Sequence, residues 1–146
     1  VPLKGFISTA KTNGKFKVVE AKDYDGLSLV EIYTDLYKYT LSRYLNQNRS
    51  EGEPYPEGYQ TFACTYTKSY FRQLTTEKKV RTKTKGGLDV IRWVQHGRNE
   101  AFDLNVYNLC LCDLHLLQIC LTYLEIDQLN AQMAFEFLKA NKTWIS

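Results

Sequence analysis

Apolar positions along the chain recur with two different periods, and the changes of period mark the elements. Leu3, Phe6 and Ile7, then Phe16, Val18 and Val19, read as two strands within 1–21, with Asn13-Gly14 between them as a tight-turn signal. After a turn at 23–26, Leu27, Leu29, Val30 and Ile32 read as a further strand. The spacing then becomes helical. Leu36, Tyr37, Thr40, Leu41, Tyr44 and Leu45 fall on one side of a helix, and Thr34 or Asp35 supplies a side-chain oxygen to cap its first free N–H groups. The polar stretch 46–58, with Pro54, Pro56 and two glycines, predicts a surface loop.

The second half reads in the same way. A short strand is expected over 59–63 and a short helix over 68–79, with Tyr70, Phe71 and Leu74 on one side. Two alternating runs, 80–85 and 88–94, are joined by Gly86-Gly87, a hairpin signature. A long apolar helix follows over 99–124, then a second over 126–138 with Leu129, Met133 and Phe137 at four-residue spacing. The run 104–124 is 21 residues long, enough to span a membrane, but Asn105, Asn108, Asp113, His115 and Gln118 interrupt it, so a buried core helix is expected and no membrane partner. There is no internal repeat. Strands with interleaved helices and a helical end predict an α/β or α+β fold with a small mixed sheet.

A chain of 146 residues that is 44% apolar and 24% charged has the size and composition of one packed domain. Of four cysteines, Cys110, Cys112 and Cys120 crowd into one apolar stretch, which does not resemble a disulfide framework and points to a reducing compartment. No basic leader with an apolar core opens the chain, and the first residue, Val1, suggests a piece of a longer polypeptide. The net charge of +3 hides an asymmetry: residues 1–98 hold 17 Lys and Arg against 10 Asp and Glu, whereas 99–146 hold 2 against 6. Only the first part favours an anionic partner. The chain has no phosphate-binding G-x-x-x-x-G-K-[ST] loop, no G-x-S-x-G and no H-E-x-x-H, which disfavours a self-sufficient NTPase, an α/β-hydrolase and a zincin. With only His96 and His115, histidine acid–base chemistry is poorly supplied.

Two features carry candidate chemistry. Lys79, Arg81, Lys83 and Lys85 alternate, so in a strand they line one face of a hairpin arm, spaced to follow a phosphate backbone. The plainer alternative is a lysine-rich edge strand guarded against aggregation. Asp103 stands about one turn inside a helix capped by Asn99, on the stripe of Tyr107, Cys110 and Leu114. A carboxylate heading an apolar stripe is costly unless it meets a cation or a donor, which leaves metal ligation or a salt bridge to Arg92 or Arg98. Cys110, Cys112, Asp113 and His115 are spread around the helix, with only Cys112 and His115 on one face, which does not suit zinc.

The ordered motifs Lys4-Gly5, Thr34-Asp35 with Lys38, Gly58-Tyr59 with Phe62, Gln73-Leu74-Thr75 with Glu77 and Val80, and Arg98-Asn99-Glu100-Ala101 with Asp103 and then Val106-Tyr107 resemble the nuclease domain of the large terminase subunit of tailed bacteriophages, in its lambda-like branch. The resemblance covers 1 to about 110 and is to the C-terminal part of that domain. It implies an RNase H-like nuclease fold, a mixed sheet flanked by helices, over 1–115, with a helical C-terminal tail over 116–146 that suits docking to the portal or capsid. It further implies a metal-dependent endonuclease that cuts concatemeric phage DNA during genome packaging, in the cytoplasm of the bacterial host. Asp103 matches the last acidic member of the cluster that holds Mg²⁺ or Mn²⁺, and Lys79, Arg81, Lys83 and Lys85 would lie beside double-stranded DNA. The small terminase subunit and the portal protein are the implied partners. Two ions need several carboxylates, the family's earlier ones lie upstream of the Lys-Gly strand, and the chain alone is therefore expected to be inactive. Ala63, Phe102, Leu104-Asn105 and Asn108 depart from the family pattern, which keeps open a catalytically silent DNA-binding or assembly module on the same scaffold.

Overall fold

The computed structural model describes residues 3–6, 15–20, 22 and 26–141. Strand β3 (Ser28–Tyr33) is the middle of a mixed three-stranded sheet. Strand β1 (Leu3–Phe6) runs parallel to it, with Leu3 opposite Val30, and β2 (Phe16–Glu20) antiparallel on its other side, with Phe16 opposite Ile32. The first two strands are thus separated by β3 rather than paired with each other, and the Asn13-Gly14 signal lies outside the described residues. The order has a physical cause: β3 buries Val30 and Ile32 on alternate positions, and a central place gives it hydrogen-bonding neighbours on both edges. On a partly exposed face, Lys17 of β2 meets its register partner Glu31 at 2.8 Å.

Helix α1 (Thr34–Leu45) follows directly. Its cap position is Tyr33, with no side-chain cap bond, so Thr34 and Asp35 lie inside the first turn, where the Asp35 charge still favours the helix dipole. The buried stripe is Tyr37 and Leu41, while Leu36 is exposed. The segment 46–67 is irregular, including 59–63, where a strand was expected. Gly58 in this segment takes φ +76°, and a Cβ there would run into the Tyr44 ring, so glycine is required on two counts. Phe62 packs against the rings of Tyr66, Tyr70 and Phe71 instead of joining a sheet.

Helix α2 (Lys68–Leu74) is capped by Thr67, whose side chain accepts from the Tyr70 N–H. It ends five residues before the expected limit, because both the N–H and the hydroxyl of Thr75 return to the Phe71 carbonyl and the chain then enters β4 (Glu77–Lys83). Strand β4 pairs antiparallel with β5 (Asp89–Gln95), from Glu77 opposite Gln95 to Lys83 opposite Asp89. The loop is not a two-residue Gly86-Gly87 turn. Gly87 N–H bonds to the Thr84 carbonyl and Gly87 adopts φ +80°, giving a three-residue loop of Lys85, Gly86 and Gly87.

Helix α3 (Glu100–Tyr123) is continuous, and the chain divides into two compact units, 1–107 and 108–146. Among the described residues of the first unit, the buried apolar side chains are Val30, Ile32, Tyr37, Leu41, Leu74, Ala101, Phe102 and Val106. In the second unit Leu116, Ile119 and Cys120 of α3 form a core with Ala134 of α4 (Ala131–Ala140). Helix α4 begins five residues later than the periodicity suggested: Glu125 takes φ 53°, and Asn130 caps the helix by accepting from the Met133 N–H at 3.1 Å. Helix α3 is long and apolar enough to cross a membrane by length and composition. It buries Ala101, Phe102, Val106, Cys110, Leu116, Ile119 and Cys120, as a core helix does, while Leu104, Leu111 and Leu121 are exposed.

Candidate active site

Glu77 is the only buried charged side chain among the described residues, and four elements of the first unit explain how it is tolerated there. Lys38, one turn into α1, donates to Oε1 of Glu77, with the two side chains 14% and 5% exposed. Asn99, just before α3, donates from Nδ2 to Oε2 at 3.1 Å. The Asn99 Oδ1 in turn accepts from Nε2 of Gln95 at 2.9 Å, and Gln95 is the ladder partner of Glu77 across the hairpin. Both carboxylate oxygens of Glu77 are therefore taken. The ring of Phe102 lies 6.0 Å from the Lys38 ammonium and 5.9 Å from the Trp93 ring, closing the apolar side of the cluster.

Asp103 belongs to the same neighbourhood. Its backbone N–H bonds to the Asn99 carbonyl at 3.0 Å, the opening bond of α3. Burial raises its carboxyl above the ordinary aspartate range; the Lys38 ammonium opposes that shift, the Glu77 carboxylate adds to it, a hydrogen bond with Asn99 opposes it and Glu100 adds again. Asp103 thus feels the charges of Lys38 and Glu77, not the arginines expected to neutralise it; Arg98 pairs with Glu100 at 3.0 Å. One cation against two carboxylates leaves the cluster a net negative seat.

The pleat of β4 connects this seat to the basic row. Glu77, Lys79, Arg81 and Lys83 occupy alternate positions and so share one face, opposite Gln95, Trp93, Ile91 and Asp89 of β5. Lys85 lies in the loop and is not part of the alternation. Lys79 stands over the Tyr39 ring at 4.5 Å and, with Glu77 and Trp93, lines an open cleft of about 290 Å³. Arg81 and Lys83 are exposed further along the same face.

A family model for the endonuclease domain of the terminase large subunit gpA matches residues 4–122. The chain belongs to this family. No curated protein and no solved structure gives a match. The residues quoted for the family resemblance acquire separate physical roles in the terminase endonuclease domain. Lys38, Glu77, Asn99 and Asp103 come from three different motifs and meet in one cluster, Gly58 clears the Tyr44 ring, and Leu74, Ala101 and Val106 are buried. Of the site residues expected from sequence, Asp103 lies in the cluster and Lys79, Arg81 and Lys83 extend from it, whereas Lys38 and Glu77 were read only as motif residues, Asn99 only as a motif residue and helix cap, and Gln95 not at all. The available signal was Glu77 itself, a carboxylate in step with a row of cations at a spacing of two.

Membership of a terminase endonuclease family suggests a divalent-metal requirement, which the donor set of this site meets in part. Asp103 offers a hard carboxylate oxygen of the kind Mg²⁺ and Mn²⁺ prefer. Glu77 is already engaged on both oxygens, and no group of three His, Cys, Asp or Glu side chains is assembled for a metal among the described residues. The site fits one ligand of a metal centre rather than a whole one.

Proposed function

We propose that this α/β domain is the C-terminal portion of an RNase H-like, metal-dependent endonuclease that cuts concatemeric viral DNA during packaging in the bacterial host cytoplasm. The observation that supports this reading best is the meeting of Lys38, Glu77, Asn99 and Asp103 at the foot of a strand face that carries Lys79, Arg81 and Lys83. Duplex DNA lies along that face with its phosphates on the three cations, which draws the scissile phosphate towards Asp103. Asp103 would supply one oxygen ligand to Mg²⁺ or Mn²⁺, and further carboxylates would be needed to complete the site. The bound ion would supply Lewis-acid stabilisation of the scissile phosphate and a more acidic water. Lys38 and Asn99 fix the Glu77 carboxylate, which in turn anchors β4 to the start of α3 and sets the distance between the cation row and Asp103. Lys85, at the loop tip, touches the DNA only at its margin.

The small terminase subunit and the portal are its partners in this reading, with 116–146 as the portal-docking segment. Asp103→Asn in the large subunit carrying this domain tests the assignment. Loss of Mn²⁺-dependent nicking of supercoiled plasmid, with duplex affinity kept, is expected. Unchanged nicking would leave the silent DNA-binding module as the correct reading.

A further inference from the structure

The first unit carries another group of surface side chains, around α2, that the cluster at Glu77 does not use. Tyr66 and Tyr70 stack with ring centres 4.2 Å apart and planes 14° from parallel, and Phe62 and Phe71 close edge-on against them. The group is held in place: Thr67 caps α2, and the Tyr70 hydroxyl accepts from Nδ2 of Asn105 on α3 at 2.9 Å. Yet it is not covered, for Tyr66 is 46% and Phe71 38% exposed. Exposed Lys68 and Arg72 stand on the same short helix, two positions to either side of Tyr70. Arg72 also lines a small open pocket with Lys78, His96, Thr75 and Thr76, in which no acidic side chain takes part. Lys78 alternates with Lys79 along β4 and so leaves the strand on the other face from Lys79, Arg81 and Lys83, although it also borders the cleft that Lys79 lines.

We propose that this surface binds an unpaired DNA strand, with a base stacked on the Tyr66–Tyr70 pair and the adjoining phosphate in the pocket of Arg72, Lys78 and His96. Charge selects the class of ligand, since Lys68 and Arg72 stand on the same short helix as Tyr70 and Phe71, and Arg72 and Lys78 line a pocket without an acidic side chain. Ring geometry selects the unpaired form. A base within a duplex has both faces covered by its neighbours and offers only its edges, whereas a fixed, open aromatic face is matched by a base that has left the stack. The inference does not require Asp103 or a metal, so it stands or falls separately from the nuclease reading.

Fluorescence anisotropy of the full chain with labelled oligothymidylate, and with a mixed-sequence duplex of the same length, tests it. Tyr66→Ala and Tyr66→Leu are each expected to weaken oligothymidylate binding about tenfold while duplex binding stays within about twofold, and Tyr66→Trp to restore it, because one base stack is worth roughly 1–3 kcal/mol. Arg72→Ala is expected to weaken the same binding and lower its salt slope by about 0.7. Tyr66 is an exposed loop residue, so its truncation leaves the core intact. The proposal is overturned if the unmodified chain does not bind oligothymidylate, if Tyr66→Leu binds as well as Tyr66, or if duplex and single strand lose affinity equally. Because the readout is binding, failure of Asp103→Asn to abolish nicking would leave these outcomes unaffected.

Discussion

Replacing Lys38 with Met is the most informative perturbation of the cluster. The substitution keeps the apolar stem and removes the ammonium, leaving the Glu77 carboxylate buried at 5% exposure with Asn99 as its described donor. Stripping one member from a buried ion pair costs about 3–5 kcal/mol when the survivor is stranded. Here Asn99 keeps one bond on the carboxylate and the 14% exposure of Lys38 admits some water, which brings the cost to the lower limit of that range or just below it, about 2–3 kcal/mol. For a chain of this size that corresponds to a fall in melting temperature of roughly 8–12 °C. Urea denaturation followed by the fluorescence of Trp93, which sits against Phe102 beside the cluster, reports the unit concerned. The double variant Lys38→Met with Glu77→Leu removes the stranded charge and is expected to return to within about 1 kcal/mol of the parent, since apolar replacement of a whole buried pair is often neutral. A loss below about 0.5 kcal/mol for the single variant, or additive losses in the double, would refute the view that Lys38 and Glu77 act as one clamp.

Asp103→Asn is expected to stabilise the protein in metal-free buffer at neutral pH. The native carboxyl is raised above its unfolded value near 3.9, so its contribution is fully present below that value and is lost as pH rises through the folded one. Denaturation curves of parent and variant should therefore converge at about pH 3.5 and separate by pH 7, and a variant less stable at neutral pH would contradict this. Replacing Lys79, Arg81 or Lys83 singly with Ala should weaken duplex binding evenly across sequences and lower the slope of log K against log salt by about 0.9 each, measured by anisotropy between 50 and 200 mM salt. A slope unchanged by the triple variant would return the row to the role of edge protection.

Much of this domain is written in periodicity. The switch from alternation in 28–33 to helical spacing in 34–45 marks β3 and α1, and the spacing of two along β4 puts Lys79, Arg81 and Lys83 on one face wherever the hairpin packs. The position of Asp103 one turn inside α3 is equally local. Period says which side of an element a residue occupies; it does not say what that side meets. The partnership of Lys38 with Glu77 spans 39 positions and that of Asn99 with Glu77 spans 22, so only packing brings them together. Strand order was likewise decided by the sheet, which put its most apolar strand in the middle instead of pairing the first two. At the hairpin tip a single extra loop residue moved Lys85 off the basic face, because the αL glycine that matches the twist of the strands is Gly87, not the pair Gly86-Gly87. Local spacing fixed the ingredients of the site, and tertiary contact decided which of them would share a charge.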